Sequence, residues 1–380
     1  MERNSTIDIM KGLAIILMLF IHAPFVDLGV TLSFVVPVFF MISGVFLPSC
    51  ETCGDLRAFV VKKIKSLYIP YITTNLIFLA FHNLFVRLNF YTDSQDFLAA
   101  FPDAILYSEY TFVQFMKRTA LILSTAGGTQ LGGATWFLRS LFFSSILYEI
   151  LNYAFAKLNV NKLLFHWIFG FVFLIVSCCF SGMEILIFEK NIFLWINQVL
   201  SPYILFCLGK LLINLFNGIK HNWIYLLTGV AGLIVLVIIN HVNIDFNLAF
   251  GKTDQIHFFL LSSLSGFVFL YSVSYFIDKC SVSSFFVLAG KYTIYVLCLH
   301  LLFYKFVTLI FVKLHSLPDI YIAAYPTILS LCNGNERFAY GGSYILTGFL
   351  FPLLVGLGVR KFKKRTGFQG FCISLRIFQC

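Results

Sequence analysis

Apolar residues run through this chain in blocks of about twenty, separated by short polar segments. A helix of about 20 residues crosses the ~30 Å hydrocarbon layer of a bilayer. The pattern therefore predicts an all-α, polytopic transmembrane helix bundle of about ten helices. The predicted spans are residues 11–30, 32–48, 67–90, 135–156, 163–183, 197–217, 222–242, 256–277, 285–312 and 338–358.

Two stretches of this pattern leave room for alternatives. The break between the first two spans rests on Asp27, Gly29 and Pro37, where a short turn competes with one longer kinked helix. Residues 91–134 form the one long polar excursion, which includes a glycine-rich stretch at 127–133. Hydrogen-bonding and aromatic residues on a flexible loop suit a sugar acceptor, although the same composition serves an inert loop.

Basic residues follow every second predicted span, and this places both termini in the cytoplasm by the positive-inside rule. We expect a single transmembrane domain over residues 1–365 and a short cytoplasmic tail over 366–380. The N-terminus lacks the pattern of a cleavable signal, so the first span is expected to remain. The basic residues concerned are Arg57, Lys62, Lys63, Lys65, Lys157, Lys162, Lys220, Lys279, Arg360, Lys361, Lys363, Lys364 and Arg365.

Composition supports an integral membrane protein, because 59% of the residues are hydrophobic, only 12% are charged, and 47 of 380 are Phe. The net charge of +10 is spread over the predicted inner loops, which indicates topology and attraction to anionic lipid rather than nucleic-acid binding. Cys50 and Cys53 lack a second pair, so we expect no metal site. Abundant Phe and Ile with little Ala is typical of an A·T-rich bacterial genome, and we expect the bacterial inner membrane.

Lys11 and His22 are the first candidates for chemistry. They lie eleven positions apart, which is close to three helical turns, so both side chains face one side of the first span about 16 Å apart. On the predicted boundaries, Lys11 marks the membrane edge and His22 lies near mid-bilayer. A charged side chain at that depth costs at least ~2.5 kcal/mol, so such residues usually serve function. The alternative is a neutral histidine satisfied by a neighbouring carbonyl.

Several segments together resemble the acyltransferase-3 family of membrane O-acyltransferases. Residues 3–14 (RNSTIDIMKGLA) with His22 are similar to the family's opening, in which Asp8, Lys11, Gly12 and His22 fill the motif. Lys11, Lys62 and Lys65 stand where arginines are common, and a lysine lacks their bidentate fork. Leu297 replaces a frequent Tyr. The other matching segments, in order, are residues 39–47 (FFMISGVFL), 67–71 (LYIPY), 136–138 (WFL) and 290–300 (GKYTIYVLCLH).

The resemblance implies transfer of an acyl group, expected to be acetyl, from cytoplasmic acyl-CoA to a hydroxyl of a glycan or glycolipid, with no permanently bound cofactor. His22 fits the base, because its reference pKa of ~6.5 lets it take and return a proton near neutrality. Asp8 is the second catalytic candidate: it can pair with Lys11 at the cytoplasmic end of the helix, or the two can form an ordinary surface pair. Lys11, Lys62 and Lys65 can attract the donor's phosphates, although Lys62 and Lys65 also fit simple membrane anchoring.

Four further residues are candidates for binding the acceptor. Ser43 can contact it or permit close helix packing, and Trp136 can do so or anchor the membrane interface. Arg139 is either a cavity charge or an interfacial arginine, and His300, at a depth comparable with His22, either lines the same cavity or is structural.

Two other classes of protein stay open from the sequence. A transporter or exporter of a small solute or sugar precursor would use His22 and Lys11 as coupling or binding groups. The chain shows no convincing internal repeat, which disfavours it. A catalytically silent scaffold or receptor would keep the helices without the chemistry.

Overall fold

The structure is a computed structural model, and it describes residues 5–25, 32–102, 104–187, 190–242, 247–252 and 255–366. It confirms the all-α class. The strands in this part of the chain are two residues each, with β1 (Leu186–Ile187) pairing antiparallel with β2 (Lys190–Asn191).

The helices in the first half of the chain include one long segment with a π-helical insertion. In that segment the helix Cys53–Lys63 continues through a π-helix, Ile64–Tyr68, directly into the helix Ile69–Ala80. The helices are α1 (Ser5–His22), α2 (Val35–Val45), α3 (Cys53–Lys63), α4 (Ile69–Ala80), α5 (His82–Arg87), α6 (Phe97–Ala100), α7 (Phe112–Leu123) and α8 (Trp136–Lys157).

The second half is built from longer helices, two pairs of which are separated by a single residue. The helices are α9 (Lys162–Cys179), α10 (Ile192–Leu200), α11 (Pro202–Asn217), α12 (Asn222–Asn240), α13 (Ile256–Asp278), α14 (Ser283–Lys291), α15 (Thr293–Leu314) and α16 (Gly334–Thr366). Short 3₁₀ turns precede α8, α13 and α16, and two of them, Asp319–Ala323 and Leu329–Leu331, lie between α15 and α16.

Seven helical segments within the described ranges are long and apolar enough to cross a bilayer, so the protein is a multi-pass membrane protein. Each predicted span overlaps a helix, but α2 is short, α4 is interrupted, and α8 carries charged residues. The number ten and the cytoplasmic termini therefore stay predictions. The seven segments are Ser5–His22, Lys162–Cys179, Ile192–Asn217, Asn222–Asn240, Ile256–Asp278, Thr293–Leu314 and Gly334–Phe362.

The first predicted span, 11–30, is wrong in its boundaries. The helix begins at Ser5 and ends at His22, because Pro24 follows closely and disfavours helical backbone before it. Lys11 therefore lies in the second turn and His22 is the last helical residue, not a mid-span one. The predicted break at Asp27 and Gly29 falls outside the described residues.

The predicted flexible excursion at 91–134 contains two helices, α6 and α7. Thr111 caps α7, since its hydroxyl accepts from the Gln114 amide and the Gln114 side chain accepts from the Thr111 amide. This capping box is readable in the sequence and was missed. α7 packs against α4, which brings the glycine-rich stretch that follows it back towards the bundle.

Glycines allow α2 and α11 to approach closely. A Cβ added at Gly209 would overlap the Met41 carbonyl, and one added at Gly44 would lie 2.5 Å from the Phe206 Cα. The Ser43 hydroxyl, next to Gly44, donates to the Phe39 carbonyl of its own helix at 2.8 Å. The sequence interpretation of this pair as a close-packing element is consistent with these contacts.

We expect Gly209→Ala to lower the stability of the protein by about 1–3 kcal/mol, because the new methyl overlaps backbone that cannot yield without moving a helix. Thermal unfolding in detergent measures this. Gly358→Ala is the matched control: it lies in α16 with nothing within 4 Å of the added Cβ, and better helix propensity makes it neutral or stabilising. Equal losses for both variants would contradict the close contact.

Candidate active site

A cavity of about 890 Å³ opens at one end of the helix bundle. Its walls come from the C-terminal end of α1, the N-terminal ends of α2, α8 and α10, and the segments that join helices at that end. His22, Trp136 and Arg139, three of the predicted site residues, all line it. Polar and aromatic lining residues include Tyr71, Tyr107, Thr129, Gln130, Asn191, Trp195, Gln198, Asn247 and Tyr325.

His22 is half-buried at the end of α1, with its ring on the cavity wall. The His300 ring of α15 lies behind it, with the two ring centroids 5.0 Å apart and the planes tilted by 39°. His300 is 0% exposed and is not among the lining residues. The structure therefore brings the two histidines together, but it places His300 behind His22 and not on the cavity surface.

The glycine-rich stretch at 127–133 forms one wall, and Asn75 of α4 holds it. The buried Asn75 side-chain oxygen accepts from the Thr129 amide at 2.8 Å, and its amide nitrogen donates to the Thr135 hydroxyl at 2.8 Å. The Tyr71 hydroxyl donates to the Gly127 carbonyl. Every polar group of Asn75 is satisfied, so this wall is fixed in position rather than free to move.

Arg139 ties three parts of the cavity together from the first turn of α8. It donates to the Thr125 carbonyl at 3.1 Å and to the Gln198 side-chain oxygen of α10. Gln198 in turn donates to the Ala249 carbonyl at 2.7 Å. Of the two interpretations of Arg139, the structure supports a charge within the cavity wall.

We expect Arg139→Lys to lower kcat/KM for the acyl transfer that the sequence resemblance implies by about tenfold, because a lysine cannot hold both oxygens with the planar guanidinium fork. Steady-state kinetics in proteoliposomes measures the change. Arg87→Lys is the control, since Arg87 makes an exposed two-point contact with Glu109 at 2.7 and 3.3 Å at the cavity end of the bundle. Arg139→Lys activity equal to that of the control would exclude a role in shaping the cavity.

Asp8 and Lys11 lie deep in the packing of α1, away from the cavity. Lys11 is 1% exposed, its ammonium lies 3.4 Å from the Asp8 carboxylate and it covers the Phe46 ring at 4.5 Å. Close packing of α14 against α1 encloses this pair, since a Cβ added at Gly290 would overlap the Asp8 carbonyl. The pair is therefore a buried ion pair rather than an ordinary surface one.

Lys62 and Lys65 are exposed. They precede the cavity residue Tyr71 by about 9–14 Å along the helix axis. Cys50 lies on the same side of Tyr71 as these lysines. Its amide donates to the buried Glu149, which lies in the C-terminal half of α8, away from the cavity. The two lysines thus lie towards the opposite end of the bundle from the cavity mouth. Ser43 is buried between α2 and α11 and does not line the cavity.

Sequence reasoning missed several residues that build the site, and Lys305 of α15 is the clearest of them. Lys305 is 0% exposed, and its ammonium donates to the carbonyls of Ile322, Ala323 and Ala324 at 3.1, 2.9 and 2.8 Å. These carbonyls immediately precede Tyr325, which lines the cavity. The sequence could have indicated Lys305, because it is an ionisable residue inside a predicted span, as His22 is.

These observations define a class: a multi-pass membrane protein whose helix bundle holds a largely apolar cavity, with an imidazole and other polar and aromatic side chains on its wall. A family model described as an acyltransferase domain, that of the acyltransferase-3 family, matches residues 4–334. The chain belongs to this family and is a membrane acyltransferase. No curated protein and no solved structure was found to match it.

Proposed function

We propose that the protein moves an acetyl group from acyl-CoA to a hydroxyl of a glycan or glycolipid, with His22 as the general base. The observation that carries this proposal is the His22 ring on the wall of the 890 Å³ cavity. A cavity of this size accommodates a sugar unit together with a thioester.

The chemistry that follows is an acyl transfer. An unprotonated His22 nitrogen takes the proton of the acceptor hydroxyl, whose oxygen attacks the thioester carbonyl. The new C–O bond forms, the C–S bond breaks, and the CoA thiolate recovers the proton from His22. Positive or hydrogen-bonding groups are needed for the tetrahedral oxyanion, and Arg139 is the cationic candidate on the cavity wall.

The lining of the cavity supports a carbohydrate acceptor. Trp136, Trp195 and Tyr325 line the cavity together with amide side chains such as those of Asn191 and Asn247. Sugars present apolar C–H faces and a ring of hydroxyls, and this combination of aromatic and amide groups complements both. We assign the attraction of the donor's phosphates to Lys62 and Lys65, which are exposed and lie nearer the other end of the bundle.

The proposed orientation follows from the same arrangement. If the basic ends of the helices lie in the cytoplasm, as the positive-inside rule indicates, the cavity opens to the outer side. Donor and acceptor then approach from opposite sides of the membrane and meet near His22. The bacterial inner membrane, which the Phe- and Ile-rich composition suggests, is part of the proposal.

Acetyl-CoA labelled in its acetyl group, added to membranes that contain the protein, tests the proposal. We expect label in base-labile esters of the glycan or lipid fraction, matched by release of free CoA. Membranes without the protein are the control. Label that stays in acetyl-CoA, or that is transported without forming an ester, would contradict the proposal and favour the transporter.

A further inference from the structure

The His300 side chain has one nitrogen fixed and one nitrogen unpartnered. Its Nδ1 lies 2.8 Å from the Val296 carbonyl oxygen and 3.1 Å from that of Leu297. Both oxygens only accept hydrogen bonds, so Nδ1 carries the proton. In a neutral ring Nε2 is then an acceptor, and this buried atom has no hydrogen-bond partner in the described part of the chain.

Burial of an unpartnered acceptor is unfavourable, so a hydrogen-bond donor is expected to reach this atom. The nearest ring to His300 that can donate is that of His22, whose centroid is 5.0 Å away. The structure shows no direct hydrogen bond between the two rings, and a small rotation of His22 or one bridging water molecule would be needed to form one. No hydrogen bond to His22 from the described residues competes for its N–H.

The backbone around this pair is held tightly. Tyr304, one turn beyond His300, packs its ring edge against the His300 ring at 5.6 Å between centroids. Its hydroxyl donates to the Leu19 carbonyl of α1 at 3.1 Å, three residues before His22. Tyr304 thus connects α15 to the last turn of α1 and fixes the spacing between the two imidazoles.

We infer that His300 is a positioning residue for His22: its Nε2 accepts the N–H of one His22 nitrogen and leaves the other nitrogen unprotonated towards the cavity. The inference rests on the proposed function, in which that second nitrogen takes the hydroxyl proton. A buried acceptor that fixes the tautomer of a catalytic imidazole is a general device of acyl-transfer sites. Here the acceptor is a neutral imidazole in place of a carboxylate.

Two substitutions at His300 separate positioning from a structural role. A Gln side chain can place its oxygen where Nε2 lies, whereas an Asn side chain reaches only the Nδ1 position and keeps the bond to the backbone carbonyls. We expect His300→Asn to lower kcat by on the order of tenfold to a hundredfold with little change in KM, and His300→Gln to retain most of the activity. Equal activities for Asn and Gln would overturn the inference.

Chemical modification of His22 tests whether its cavity-facing nitrogen is unprotonated, and it does not depend on acyl transfer. Diethylpyrocarbonate reacts with unprotonated imidazole nitrogens, and peptide mass spectrometry gives the rate at each histidine in reconstituted protein. We expect the rate at His22 to fall several-fold in His300→Asn and to stay near wild type in His300→Gln. The exposed His257 is the internal control. An unchanged rate at His22 in both variants would count against the inference.

Nitrogen NMR of ¹⁵N-histidine-labelled wild-type protein requires no substitution. We expect His22 in a single neutral tautomer, with one N–H and one lone-pair nitrogen, and a mixture of tautomers would overturn the inference. The two proposals also fail separately. A fixed tautomer in a protein that forms no ester contradicts the proposed function, whereas ester formation with mixed tautomers contradicts only the role of His300.

Discussion

Replacing His22 with Ala is expected to lower kcat for acyl transfer by about 10²- to 10⁴-fold, the range typical of a lost general base. The ring lies on the cavity wall, so its removal enlarges the cavity and leaves the helix packing intact. KM for acetyl-CoA should change little, because the proposed site for the donor's phosphates, at Lys62 and Lys65, lies away from His22. Release of free CoA, followed in proteoliposomes with acetyl-CoA as donor, measures both constants.

The control for this variant is His257→Ala, which removes an exposed histidine at the start of α13. His257 does not line the cavity, and its loss should leave kcat near the wild-type value. Both variants must reach the membrane in equal amounts and unfold at similar temperatures. A His22→Ala protein as active as His257→Ala would remove the base from the mechanism.

Lys305→Met is expected to lower the stability of the segment Ile322–Ala324 by roughly 2–5 kcal/mol. The methionine keeps the length of the side chain but leaves three buried carbonyls without donors. Because Tyr325 follows this segment and its hydroxyl lies 2.6 Å from where a Cβ at Gly133 would be, the cavity wall should loosen as well. We therefore expect a higher KM for the acceptor and faster proteolysis of the segment.

Lys313→Met is the matched control for Lys305→Met. Lys313 also lies on α15 and also contacts the segment before Tyr325, through an exposed ion pair with Asp319 at 2.7 Å. Exposed ion pairs contribute about 0–1 kcal/mol, so this variant should behave like wild type. Limited proteolysis and thermal unfolding distinguish the two lysines. Equal effects of the two substitutions would show that burial of Lys305 contributes nothing.

Hydrophobic patterning was sufficient to predict the all-α class, and every predicted span overlaps a helix of the structure. Its boundaries failed where local chemistry ended a helix early: Pro24 stops α1 at His22, and the Thr111 capping box starts α7 inside a segment predicted to be a loop. Apolar composition continues across such signals. The length of the apolar segment alone therefore predicted His22 near the middle of the first span, whereas it is the last residue of α1.

The site was predicted in part. Three of the candidates from the sequence, His22, Trp136 and Arg139, line one cavity, and their catalytic and binding roles stay predictions. Asn75, Gln198 and Lys305 were missed, since their roles depend on partners distant in sequence. Lys11 and His300 are buried by neighbouring helices. The hydrophobic periodicity of the sequence does not determine which helices pack against each other.

The ester content of the cell surface tests most directly whether His22 drives acyl transfer. Cells producing wild-type protein, His22→Ala protein at the same membrane level, or neither are compared for alkali-labile acetyl esters on their glycans and lipids. We expect these esters only with the wild-type protein. Equal ester content with wild type and His22→Ala would contradict the role of His22, and no ester in any of the three would contradict O-acetyl transfer itself.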